Sequence, residues 1–404
     1  MAGHWWLSIV RYVDGMLLLS ALLLVAQPDP AMQPARVVVN PGPEYASESR
    51  PWQGIPTIER TRKGRLWAAW YAGGTGEGPS NWVILVSSDD SGKTWSKPRV
   101  VVDPDWHVRA FDPCLWTDPT GRLWLFYAQA VGLWDGRGGV WGISTNEPDA
   151  KQPKWSAPRR FANGVMLNKP TVTRNGQWLL PIAGWRNIDP VSRLARQKVD
   201  WSPHTMESLI HDIGEEKDSN VFVSTDKLKT VRRVGHAAIP KAQHDEHMLV
   251  EKNDGTLWML VRTSYGIGQA FSKDGGATWS GEGESDIPHV VSRFFIRRLR
   301  SGNLVLIRHA PPEGNKRSHL TAWLSKDDGK SWSGGLMLDE RLGVSYPDGV
   351  EAPDGRLYII YDRERSGAKE ILMAVVNEDD IMAGRTLSPG SRLRVLVDRA
   401  AGTR

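Results

Sequence analysis

Six glycines set the period of this chain. Each stands in a turn-like stretch just before an apolar run: KGRLWAAWY at Gly64, TGRLWLFYA at Gly121, NGQWLLPIA at Gly176, DGTLWMLVR at Gly255, SGNLVLIRH at Gly302 and DGRLYIIYD at Gly355. The intervals are 57, 55, 79, 47 and 53 residues. A second strand-like stretch precedes each turn: GIPTIER, FDPCLWT, NKPTVTR, DEHMLVE, RFFIRRL and YPDGVEA. Two β-rich runs joined by a short Gly-containing turn make a hairpin. Six hairpins at this long period, each followed by more strand, describe blades of about four strands around an axis. The expected fold is therefore all-β, a six-bladed β-propeller forming one domain over residues 37–395. A sandwich does not repeat at so long a period. The 79-residue interval holds mostly polar sequence over residues 187–216 and reads as an insertion, with a degenerate seventh blade as the alternative.

Composition agrees with many short strands. Of 404 residues, 40% are apolar, enough for a large core, and 20 Trp, 40 Gly and 26 Pro supply packing and turns. The 51 basic and 46 acidic residues leave a net charge of +5 without a basic run, which argues against nucleic-acid binding and suits an anionic glycan partner. A lone cysteine, Cys114, excludes an internal disulfide and reads as a buried small hydrophobe. At the N-terminus Arg11 precedes an apolar run over residues 16–26. Residues 1–31 are thus expected to be an export signal or an N-terminal anchor, since an 11-residue run is too short to span a bilayer. The mature domain is expected to be exported, monomeric and not inserted in a membrane.

The octapeptide Ser-x-Asp-x-Gly-x-Thr/Ser-Trp occurs three times, at residues 88–95, 272–279 and 325–332. Its aspartate can cap backbone N–H groups, its glycine supplies a positive φ, and its tryptophan anchors the turn. It marks the outside of a blade, so chemistry must lie elsewhere. Ligands of ring-shaped folds bind where the blades converge. Nine residues before the turn glycines lie Ile55, Asp112, Leu167, Glu246, Arg293 and Tyr346; seven residues after them lie Tyr71, Ala128, Ala183, Arg262, His309 and Asp362. Ionisable residues inside apolar strands are costly unless paired or functional. Structural ion pairs along the axis are the competing explanation.

The tripled octapeptide resembles the Asp-box repeat of sialidases and related propellers, and the resemblance covers about residues 50–380. In exo-sialidases a glutamate polarises a nucleophilic tyrosine, three arginines clamp the substrate carboxylate, and a loop aspartate protonates the leaving oxygen. DEHMLVEKNDGTLWMLVRT resembles the glutamate-to-arginine segment, which implies Glu246 and Arg262. KRSHLTAWLSKDDGKSW resembles the segment of the last arginine and implies Arg317. SYPDGVEAPDGRLYIIYD resembles the nucleophile segment and implies Tyr346. The family's Arg-Ile-Pro opening is Gly54-Ile55-Pro56 here, so the first clamp arginine is missing, and Arg50 or Arg293 are the candidates to supply its charge. The loop GGTGEGPSN offers Glu77 in place of the acid aspartate. Asp112, Asp348, His247 and Lys169 complete the substrate-binding candidates.

The resemblance implies an exo-glycosidase acting on a terminal acidic sugar. Two alternatives stand beside it: a propeller acting on uronate- or rhamnose-containing polysaccharide, by hydrolysis or by elimination with His247 or Tyr346 as base, and a non-catalytic glycan binder. No cofactor is expected. Nor is a metal, because alternation along a strand sends the neighbours in His244-Asp245-Glu246-His247 to opposite faces.

Overall fold

The computed structural model describes residues 28–132, 137–186, 189–242 and 244–403. The expected export signal or anchor therefore lies outside the described residues for all but its last four positions. Among the described residues the strands form six antiparallel sheets. The first strands of the blades, in order, are Gln53–Arg60, Val108–Thr117, Thr171–Val172, Met248–Glu251, Phe295–Arg298 and Val344–Glu351. They adjoin one another around the axis, and three further strands of each blade follow outward in sequence order. Blade 1 gains a fifth, outermost strand from Arg36–Val39, which pairs with Val100–Asp103. Because blades pack face to face, both faces of the middle strands are covered. Leu66–Ala72, Trp82–Ser88, Leu123–Val131 and Glu370–Val376 are buried at every position, which is why they read as largely apolar runs without alternation. Cys114 is fully buried in the layer between blades 2 and 3.

The six turn glycines all have positive φ, from 81° to 107°. Each closes the same hydrogen-bonded turn, as where Gly255 N donates to Lys252 O and Lys252 N to Thr256 O. This is a type I turn followed by a left-handed residue, the three-residue hairpin that demands glycine. In the octapeptide at 272–279, Ser272 Oγ donates to Asp274 and accepts from Gly276 N, while Asp274 accepts from the Ala277 and Thr278 amides. The third strand of a blade runs parallel to the first, so these loops share the face of the turn glycines. A fourth copy joins the two outer strands of blade 3, where Ser224, Asp226 and Thr230 make the same bonds and Leu228, at φ 65°, stands at the glycine position.

The insertion falls between the second and third strands of blade 3. Among the described residues it holds no strand; it carries the helix Pro190–Arg196 and two short 3-10 turns. Its Leu194, Trp201 and Leu209 pack against Val108 and Val131 of blade 2. The ring thus has six blades, not seven.

A Cβ at Gly255 would meet no atom within 4 Å, so Gly255→Ala isolates the cost of a left-handed backbone. The variant is expected to lose about 1–2 kcal/mol in urea denaturation; an unchanged midpoint would contradict the turn.

Candidate functional site

Each first strand starts at the face opposite the octapeptide loops, and there the backbone is strained. Blades 1, 2 and 6 break register at Gly54/Thr57, Phe111/Cys114 and Ser345/Asp348. Within these bulges Ile55, Asp112 and Tyr346 have φ of 60°, 48° and 54°. A positive φ is unfavourable for any of them, most of all for β-branched Ile55, and persists only where surroundings enforce it. At Ile55 the buried carboxylate of Asp362 accepts the amide at 2.7 Å. Bulges re-aim side chains, and these line a cavity over the axis.

The cavity is bounded by Tyr71, Glu77, Arg109, Asp112, Trp185, His244, Glu246, Arg262, Arg317, Tyr346 and Arg365, with Ile55 and Phe111. It encloses about 160 Å³, less than the roughly 300–1,000 Å³ of drug-sized sites, so it admits one ring-sized group. At its floor the Tyr346 hydroxyl donates to Glu246 Oε1 at 2.6 Å, and Arg262 Nη1 lies 2.9 Å from that oxygen and 2.8 Å from the tyrosine hydroxyl. Glu246 Oε2 is buried with no hydrogen-bond partner among the described residues. Burial opposes the charge on Glu246, but Arg262 and the tyrosine bond hold its carboxyl below the ordinary value. Burial, aided by repulsion from Glu246, pushes the Tyr346 phenol up in spite of Arg262. Tyr346 rests as a neutral phenol whose proton already points at a carboxylate.

Two other guanidinium groups approach the same ring, Arg365 at 4.4 Å and Arg317 at 5.6 Å from its centroid. Arg365 donates to Asp362 at 2.8 Å and to Glu77 at 3.2 Å. The remaining carboxyls behave oppositely. Burial, with repulsion from Glu246 and Glu77, lifts Asp112 to about 7 despite Arg109. Glu77 also meets a burial penalty, yet Arg109 and Arg365 hold it below its ordinary value. Glu77, the expected acid, is therefore a paired carboxylate in the free protein, and Asp112 is the group that carries a proton near neutrality. Four guanidinium groups face three carboxyls, which leaves the cavity net positive.

The structure brings Tyr346, Glu246, Arg262, Arg317, Asp112 and Glu77 to one cavity. It does not bring Lys169, Asp348, Arg293 or His247 there. Lys169 and Asp348 sit seven residues before their turn glycines, two residues beyond the counted inner positions, Asp348 within its first strand and Lys169 just ahead of Thr171–Val172. Lys169 Nζ donates to Ile58 O and Leu115 O at 2.6 Å and pairs with Glu59 and Asp348. Burial opposes its charge, but those two carboxylates keep its pKa above the ordinary value. Asp348 Oδ2 also accepts from Thr57 Oγ1 and Ile58 N. Arg293 donates to Asn168 Oδ1 and Pro347 O and faces Asp348 at 3.6 Å. Asn168 in turn donates to Glu246 O and His247 O. This buried hub ties all six blades directly beneath the cavity.

His247 has both ring nitrogens against backbone carbonyls, of Asp245 and Asn220, and burial lowers it to about 4. It has no access to the cavity as a base. Arg50 is buried on Asp398 and Gln53, away from the cavity, so neither it nor Arg293 stands in for the missing arginine. Among the described residues no group of three or more His, Cys, Asp or Glu side chains could hold a metal ion.

Arg365, Arg109 and Trp185 escaped the counting by turn position. Arg365 lies three residues beyond Asp362, an inner position in the repeat, in the stretch DRERSG, and Arg109 lies three before Asp112. A basic residue near an inner acid was the available signal, but it does not say which way the chain turns.

Residues 64–359 match the family described as BNR repeat-like domain. No curated protein sequence gave a significant match. Among solved structures the chain is similar to a protein of unknown function from Dyadobacter fermentans DSM 18053, at 15% identity over 83% of this chain and 95% of that one, with a TM-score of 0.58. It is similar to the Hadza microbial sialidase Hz136, at 16% identity over 82% of this chain and 66% of that one, TM-score 0.60. It is also similar to the intramolecular trans-sialidase from Ruminococcus gnavus, at 14% identity over 88% and 99% of the two chains, TM-score 0.57. At these identities the likeness establishes the fold.

Lys169→Met would remove the buried cation between Glu59 and Asp348, leaving Asp348 only the more distant Arg293 at 3.6 Å. A loss of about 3–5 kcal/mol is expected on chemical denaturation, and a stability near that of the parent would show that the hub does not hold the ring.

Proposed function

Because the chain belongs to the BNR repeat-like domain family, in a six-bladed propeller similar at low identity to sialidases and trans-sialidases, we propose that it is a glycosidase removing a terminal acidic sugar, sialic acid or a related one, from a glycan. The observation that carries this reading is the buried contact between the Tyr346 hydroxyl and Glu246, bridged by Arg262. An anomeric carbon that bears a carboxylate repels an Asp or Glu nucleophile, whereas a phenol reaches it uncharged; sialidases are the known tyrosine exception among glycosidases. Tyr346 attacks as its proton passes to Glu246. The bond to the leaving oxygen breaks as that oxygen takes a proton from Asp112. Water then cleaves the tyrosyl intermediate, its proton going to Asp112, while Glu246 returns one to Tyr346. Arg262 and Arg317 hold the sugar carboxylate, since a planar fork matches its two oxygens. The same reading has the protein exported, in keeping with the apolar run at residues 16–26.

Turnover of α-sialosides, uronosides and rhamnosides by the purified protein tests the proposal. On its substrate, Tyr346→Phe is expected to lose about a hundredfold or more of kcat; undiminished turnover would sink the nucleophile assignment. Binding of acidic glycans with no turnover of any of them would favour a binding propeller instead.

The acid assignment has its own pH signature. A proton donor near 7 is active below that value, so kcat/KM should decline as pH rises through about 7. Glu246 must be ionised, so a second decline lies below the ordinary glutamate range. Asp112→Asn should abolish the alkaline limb along with most activity, and Glu77→Gln should leave that limb in place. The reverse pattern would return the role to Glu77.

A further inference from the structure

Gly54 has an unexceptional backbone, without the positive φ that calls for glycine. Its missing side chain matters for space. A Cβ there would lie 2.6 Å from both Cγ and Cδ of Arg365 and 2.8 Å from its Nε, closer than real Cβ atoms approach. The stem of Arg365, 311 positions later in the chain, thus crosses directly over the Gly54 backbone. Any side chain at 54 would displace Arg365 from this position.

We propose that Arg365, entering from blade 6 through the space left open at Gly54, is a carboxylate-binding residue of the cavity, so that Gly54 and Arg365 form an exchanged pair selecting sugars that bear a carboxylate. The inference rests on the acidic-sugar reading above and extends it. Arg365 is built as a fixed charge: Nε is tied to Asp362, whose side chain is fully buried and also holds the Ile55 amide and Ser345 Oγ. Its own side chain is only 16% exposed, and its guanidinium stands over the Tyr346 ring beside Arg317 and Arg262. Its Nη1 already meets a carboxylate, that of Glu77, which is 42% exposed on a loop rich in glycine. An incoming carboxylate would take the place of this half-solvated partner. The fork would then gain a bidentate anion at no cost in desolvating a new cation, because the arginine is buried beforehand. An arginine carried at position 54 would start next to Ile55, whose amide sits on the same Asp362 oxygen, so either position can deliver a guanidinium to one anchor.

The test uses full-length protein carrying Tyr346→Phe, so that binding is read without turnover. Calorimetry compares N-acetylneuraminic acid with its methyl ester and glucuronic acid with its methyl ester. The parent should prefer at least one acid over its ester. Arg365→Gly should weaken that acid about ten- to a hundredfold, the loss expected for a charged hydrogen bond, and leave the ester within about twofold. Adding Gly54→Arg to Arg365→Gly should recover much of the acid preference, whereas Gly54→Arg alone should lose it by crowding. Thermal unfolding shows that each variant is folded, and Arg365→Lys, which keeps the charge without the fork, should bind at an intermediate level. Equal losses for acid and ester, no acid preference in the parent, or a folded double variant without recovery would each overturn the proposal. Turnover by the protein with Tyr346 intact is measured alongside. An Arg365-dependent acid preference without turnover of any glycoside leaves the exchanged pair standing and removes the glycosidase reading. Turnover with an Arg365-independent preference does the opposite.

Discussion

A buried lattice of charge and amide groups at the axis holds this ring together. Asn168 and Lys169 of blade 3 reach the backbones of blades 1, 2 and 4, Asp348 of blade 6 accepts from blade 1, and Arg293 of blade 5 joins Asn168 to blade 6. Each buried charge is costly alone, and each is offset only because every partner is in place. Six separate sheets have no covalent reason to close in one register. A shared set of hydrogen bonds at the centre supplies it.

The cavity inherits its geometry from that lattice. Asn168 grips the carbonyl of Glu246, and Arg293 grips the carbonyl of Pro347, next to Tyr346. The two residues whose contact defines the site are thereby fixed from below by their backbones. The left-handed bulges at Ile55, Asp112 and Tyr346 are tolerable on so rigid a base. The same rigidity keeps four guanidinium groups and three carboxyls close enough to split the carboxyl pKa values, with Glu246 held ionised by Arg262 and Asp112 held protonated up to about 7 by burial. Groups pushed apart in this way can serve as base and acid at one pH.

Turn chemistry was readable because it is local. A glycine at positive φ and an aspartate capping amides two to four residues on leave fixed spacings, and these revealed six hairpins and three octapeptide turns. The fourth turn, at Ser224 to Thr230, went unread because Leu228 occupies the left-handed position where glycine was the signal. Counting from the turns also located the inner strands, and Tyr346, Glu246, Arg262 and Asp112 followed from it. Counting could not separate the cavity from the hub. Lys169 and Asp348 differ from the counted inner positions by only two residues, one layer further along the axis.

The sequence by itself determined the repeat, the six-bladed ring, the tight turns of the octapeptides and the inner positions where chemistry concentrates, because each depends on φ preferences and spacings within a few residues. Tertiary structure alone decided which inner charges face the cavity and which bind the blades together. It also decided that the side chain of Arg365 crosses the space left open at Gly54. Blade 1 and blade 6 are neighbours only after the ring has closed, so a vacancy in one and the side chain that fills it lie at opposite ends of the chain, and only packing shows that they occupy one volume.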